Sequence, residues 1–241
     1  RTEIQETRLY SWRHEFRKFT NWYLVHYPTS SFKNQHSAFD ISFQSVSRLP
    51  AEGRYLVFLL GTSYLVQLLI SIIFLIHLTN MKTIHDILKL GDPRLYEVCT
   101  PVLREELVEV PGWIQQLHEA MEDVRRVYGF GRGIAAPQLG IMKRLFYLQL
   151  DRPYVVINPE LKGLSEEEFE LWDDCMSFPN LLVRVKRHQS LSLHYLDEHW
   201  QPQVWQVEGA ISELIQHEYD HLDGVLCTMR AVDEKSYRWK E

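Results

Sequence analysis

Residues 215 to 227 read IQHEYDHLDGVLC, with His217 and His221 four positions apart and Glu218 directly after the first histidine. Positions i and i+4 of a helix share a face, so the two imidazoles stand one turn apart and can grip a single metal ion. Glu218 is the residue type that serves as general base for a metal-activated water. A catalytic centre of this kind ordinarily takes three protein ligands and keeps a further position open. The histidines therefore need a third ligand, and two cysteines compete for the role.

Downstream, Cys227 occupies the last slot of an HExxHxxGxxH-like spacing, which is the pattern of one class of zinc peptidase. Upstream, Cys175 sits in LWDDCMSFPN, just before the Ser177-Phe178-Pro179 break. A thiolate on a strand end facing the histidine helix would complete a Cys-His-His set. A third stretch, GRGIAAPQLG at residues 131 to 140, surrounds Gln138 with three glycines, two alanines and a proline. Such a loop lets the backbone approach a ligand closely, and Gln138 offers an amide donor. Residue types and spacing alone leave both cysteines open.

Read in order, GRGIAAPQ, DDCMS and HEYDH resemble the three motifs of the peptide deformylases, G-x-G-x-A-A-x-Q, E-G-C-x-S and H-E-x-D-H. LKLGDPRL near Met81 and INPEL at residues 157 to 161 are similar to family text as well, and the resemblance covers residues 81 to about 230 and none of 1 to 80. It implies that Cys175, His217 and His221 bind one divalent metal, iron(II) first, with zinc(II), nickel(II) or cobalt(II) able to occupy the same donors. It implies hydrolysis of the formyl amide of N-formylmethionyl nascent peptides, met at the ribosome, with release of formate. Glu218 would move the proton from water to the leaving amine. The Gln138 side chain and the Met176 backbone N–H would hold the oxyanion. Arg132, Gly133, Ile134 and Asp174 would line the substrate. Asp220 would pair with an arginine of the strand after the cysteine motif, Arg187 by match and Arg184 as the alternative.

Two positions depart from the family pattern. E-G-C becomes Asp173-Asp174-Cys175, which puts a side chain and a charge beside the thiolate. Arg132 stands in a slot that usually holds an apolar residue. A cross-cleft pair between Arg132 and Asp174 is the expectation these changes raise. Two other functions stay on the table, an HExxH peptidase that uses Cys227 and a non-catalytic metal-binding relative.

These residues need elements to hold them in place. PGWIQQLHEAMEDVRRVYG places Ile114, Leu117, Met121, Val124 and Tyr128 at helical spacing and ends on Gly129. KRLFYLQL, YVVINPEL, LLVRVKR and SLSLHYL read as short strands. VEGAISELIQHEYDHLDG is helical again, with Val207, Ala210, Ile211, Leu214 and Ile215 on one apolar face and Gly224 as the stop. This order predicts an α+β fold, its mostly antiparallel, short-stranded sheets packed around the C-terminal HExxH helix. The closing DEKSYRWKE reads as a solvated tail.

Residues 1 to 80 differ in character. Residues 55 to 78 form a 24-residue run without Asp, Glu, Lys or Arg, long enough to span a bilayer. All five methionines lie from Met81 onward. Two readings of the leader stand, a membrane anchor or a segment preceding a natural start at Met81, with residues 81 to 241 as the catalytic domain. Residues 1 to 80 carry 8 Lys/Arg and 5 Asp/Glu, residues 81 to 241 carry 18 and 27, so direct nucleic-acid binding by the second part is not expected. Three scattered cysteines do not make a disulfide framework. A reducing compartment, cytoplasm or organelle matrix, is the expectation, with membrane contact only through 55 to 78.

Overall fold

A computed structural model describes residues 81–240 of the chain. Helix α1 spans Val110–Tyr128 and buries Leu117, Ala120, Met121 and Val124 along one stripe. It stops at Gly129, whose φ of 73° is the left-handed conformation that glycine reaches without strain. Five strands follow in one antiparallel sheet, in the spatial order β1 (Gly133–Ala135), β2 (Leu145–Gln149), β3 (Pro153–Lys162), β6 (Ser190–Leu196) and β7 (Pro202–Glu208). A second antiparallel sheet runs β4 (Glu168–Asp174), β5 (Leu181–His188) and β8 (Tyr237–Trp239).

Helix α2, Gly209–Leu222, packs on β1, β2, β6 and β7 of the first sheet and on β5 of the second. Leu214, Ile215 and Leu222 join Phe146, Leu148, Val156 and Leu193 in a core under the larger sheet. A separate core gathers Leu95, Cys175, Phe178, Val183, Val185 and Cys227 beside the smaller one. Between the two, α2 also buries Glu213, Gln216, His217, Glu218, Asp220 and His221. Polar groups removed from water need partners, so this helix is where functional chemistry concentrates. Its end is fixed by Gly224, where a Cβ would lie 2.6 Å from the Tyr96 carbonyl oxygen.

The α+β architecture follows the expectation, with differences at the edges. Val207 belongs to β7 and Ala210 is exposed, so the apolar face of α2 is narrower than its periodicity predicts. Tyr128 is largely exposed at the end of α1. The chain end is not simply a solvated tail: Ser236 is fully buried and Tyr237–Trp239 pair with Leu181–Val183 of β5. No helix among the described residues is long and apolar enough to cross a membrane. The apolar run at 55 to 78, like the rest of the leader, lies outside the described residues.

Candidate active site

Asp173 and Cys175 flank the end of β4, where the strand gives way to the turn carrying Met176 and Ser177. The Cys175 thiol faces α2, with Sγ 3.4 Å from His221 Nε2. The two histidine rings of α2 stand edge-on with centroids 5.0 Å apart. One donor atom from each of Cys175, His217 and His221 falls within 4.8 Å of the others, and all three residues are buried. A soft thiolate with two imidazoles is a donor set that suits a divalent transition metal.

Asp173, Cys227 and His217 form the second such group among the described residues. It contains one histidine of the pair, whereas the Cys175 group contains both. Cys227 opens a short 3₁₀ helix and lies in the apolar core beside the smaller sheet. Burial pushes its thiol well above the ordinary range.

A buried network orients the histidines. His217 Nδ1 lies 3.0 Å from Asp173 Oδ2, which leaves Nε2 as its donor toward the centre. Arg187 donates to Asp173 at 3.0 Å and to Asp220 at 2.5 Å. Arg230 closes the chain on the outside, donating to both oxygens of Asp220 at 2.7 and 3.2 Å. Arg187 is thus the partner expected for Asp220. Arg184 instead donates to Asp233 at 2.7 Å on the exposed side of β5. Burial alone would raise the Asp173 carboxyl, yet His217 and Arg187 hold it at about 2. Burial also lowers His217, but the same Asp173 carboxylate keeps it well above its ordinary value. His221, equally buried and beside His217, is held well below the ordinary value.

The 3₁₀ turn Ala136–Leu139 presents Gln138 to the same centre. Its Oε1 accepts from the Ala135 N–H at 2.9 Å, which turns the amide nitrogen inward. Nε2 then donates to Cys175 Sγ at 3.5 Å and Ser177 Oγ at 3.3 Å. Glu218 is buried with Oε2 free of any hydrogen-bond partner, and burial pushes its carboxyl up to about 7. A Cβ on Gly133 would lie 2.5 Å from Glu218 Oε1 and 2.8 Å from Leu148 Cδ2, so a side chain there would push both of those side-chain ends aside.

A cavity of about 430 Å³ opens onto this centre, and Gln138, Met176, His217 and Glu218 lie in its wall with Arg132, Gly133 and Asp174. Ile134 does not. Strand alternation turns it away from Gly133 and into the core under α1, where it is fully buried. The expected pair between Arg132 and Asp174 is also absent. Arg132 donates to Glu213 at 2.9 Å, and Asp174 is held by Lys240, whose ammonium lies 3.5 Å from the Phe130 ring centroid. Glu213, Arg230 and Lys240 are the residues that sequence reasoning missed. Glu213 had a signal, a carboxylate one turn before His217 on the buried face. Lys240 had none, because Asp174 lies 66 positions away, and Arg230 had none because it meets Asp220 from the short 3₁₀ helix beyond the turn that ends α2.

Residues 84–237 match the family model described as polypeptide deformylase. The peptide deformylase of Treponema pallidum (strain Nichols) is 37% identical over 142 residues, covering 58% of this chain and 86% of the relative. Peptide deformylase 2 of Ralstonia nicotianae is 32% identical over 169 residues, 66% of this chain and 93% of the relative. Among solved structures, the peptide deformylase from Thermotoga maritima superposes with a TM-score of 0.57 at 30% identity, covering 64% of this chain and 99% of that one. With the motifs of the sequence gathered on one cavity and this match across the described residues, the chain belongs to the polypeptide deformylase family.

Proposed function

We propose that Cys175, His217 and His221 hold one divalent metal, iron(II) first, with zinc(II), nickel(II) or cobalt(II) as alternatives, and that Glu218, Gln138 and Met176 carry the reaction around it. The reaction itself follows from the family: hydrolysis of the N-formyl group of nascent peptides. The observation that carries the site assignment is the convergence of the thiol and both imidazoles within 4.8 Å, with the Gln138 amide donating to that thiol.

A metal on these donors supplies Lewis-acid activation of water and of the formyl carbonyl. The residues do the rest. Glu218 takes the proton of the attacking water on its unpartnered Oε2 and delivers it to the nitrogen of the leaving amine. The Gln138 amide, its orientation locked by the Ala135 N–H, donates to the oxygen that gains charge as the carbonyl is attacked. The Met176 N–H is the second donor. Asp173 fixes the His217 ring by its Nδ1, and Gly133 lets the backbone lie against the Glu218 carboxyl. Action close to the ribosome, in cytoplasm or an organelle matrix, completes the reading.

Formate release from N-formyl-Met-Ala-Ser, beside the unformylated tripeptide, is the test. Formate without cleavage of the unformylated peptide supports the reading. Peptide-bond cleavage without formate points to a peptidase. Neither, from metal-replete protein, points to a non-catalytic relative.

A further inference from the structure

Two cations tie β4 to β8 across the strand that separates them. β5 lies between the two, with Leu182 paired to Asp174 on one side and to Arg238 on the other. Side chains two positions apart on a strand share a face, and Arg238 and Lys240 both reach over β5 to β4. The Arg238 guanidinium lies 4.1 Å from the centroid of the Trp172 ring. The Lys240 ammonium meets the Asp174 carboxylate and lies 3.5 Å from the centroid of the Phe130 ring. The Lys240 N–H donates to the Asn180 carbonyl at 2.8 Å, which fixes where that side chain starts. Phe130 leads toward β1 of the larger sheet, and Asp174 ends β4 of the smaller one. Lys240 therefore joins the two sheets at the edge of the catalytic centre.

We propose that Lys240 is a positioning residue for deformylation, acting through Asp174: it holds and balances the one carboxylate that directly precedes Cys175 and Met176 in the chain. This rests on the deformylase reading and deepens it. Asp174 shares its backbone with the proposed thiolate ligand and with the N–H proposed to meet the oxyanion, so a displacement of Asp174 is passed to both. Its charge also matters. A carboxylate at this place opposes the negative charge that develops on the formyl oxygen during attack. Lys240 is its ion-pair partner, and no second cation pairs with Asp174 among the described residues. The Phe130 ring holds the ammonium from the other side by attraction of the cation to the ring face, which keeps the carboxylate turned to the edge. The pair is about one-third exposed, 30% at Lys240 and 34% at Asp174, so water and salt screen it only in part. Without Lys240 the charge of Asp174 stays and its tether is gone.

The test is a double-mutant cycle at positions 174 and 240 on the full, metal-loaded chain, with kcat and KM read separately for N-formyl-Met-Ala-Ser. Lys240→Met is expected to lower kcat about five- to tenfold while KM stays within about twofold, because the opposed charge develops only in the transition state. Lys240→Arg, which keeps the cation, is expected to recover most of the loss. On an Asp174→Asn background, Lys240→Met is expected to change kcat by less than about twofold, since the charge it balanced is gone. Raising the ionic strength is expected to restore part of the Lys240→Met loss. An equal loss from Lys240→Met on both backgrounds, insensitive to salt, would show that Lys240 only anchors β8 and would overturn the proposal. A Lys240→Met protein with the kcat of the wild type would overturn it as well. If the wild type itself releases no formate, the deformylase reading fails and the proposal falls with it.

Discussion

Asp173 Oδ2 lies 3.0 Å from His217 Nδ1 and also accepts from Arg187 at 3.0 Å, so one buried carboxylate sets the imidazole of a proposed metal ligand and ties it to the smaller sheet. Asp173→Asn keeps the shape and removes the charge. The expected result is a metal affinity lower by about 10–100-fold, the usual scale for losing a partner behind a histidine ligand. Metal retained after dialysis against a graded series of chelator concentrations measures it.

Gly133→Ala is expected to keep the fold and the metal while reducing turnover. The added Cβ would sit 2.5 Å from Glu218 Oε1, so the carboxyl must move. Displacing a catalytic group by about 1 Å costs on the order of 10²-fold. Circular dichroism and metal content unchanged, beside a lowered kcat, is the outcome to look for. Full activity would show that the Glu218 carboxyl accommodates the added methyl without leaving its working position.

Glu218→Ala is expected to bind metal normally, because no ligand changes, and to lose roughly 10²–10⁴-fold in kcat. Metal analysis and formate release on the same sample separate the two effects.

Arg187→Met should destabilise the fold. It removes the buried cation between Asp173 and Asp220, leaving Asp173 with His217 and Asp220 with Arg230, and breaking a buried pair by removing one partner costs about 3–5 kcal/mol. Urea denaturation reads the loss. Arg184→Met, whose ionic partners Asp233 and Glu170 are exposed, should stay within about 1 kcal/mol of the parent.

Much of the site was legible because its chemistry is local. The i, i+4 histidines, the Gln138 turn and the Cys175 strand end each announce themselves within a few residues, and the helical period placed the catalytic helix. Side-chain pairing across the cavity was not legible. Arg132 finds Glu213, 81 positions away, and Asp174 finds Lys240, 66 positions away. Opposite charges attract without a sequence spacing to read, so the Arg132–Asp174 expectation named two correct residues and the wrong partners. Strand β8 was missed for a related reason. Its three residues are all exposed, their Tyr-Arg-Trp alternation is too short to read as a strand, and only pairing with β5 makes them one.

Residues 81–241 are expected to fold and turn over without the leader, since every group in the site belongs to that stretch. Comparing formate release by the shortened and full chains tests this, and an inactive shortened chain would assign the leader a part in the enzyme.

Cys175, and not Cys227, is proposed to complete the metal site with His217 and His221. The direct measurement is metal content per chain after dialysis, on Cys175→Ser and Cys227→Ser prepared alongside the wild type. Cys175→Ser is expected to lose most of its metal and nearly all activity, because a ligating thiolate binds as an anion that serine does not replace. Cys227→Ser should keep its metal. An empty site in Cys227→Ser beside a full one in Cys175→Ser would contradict the account.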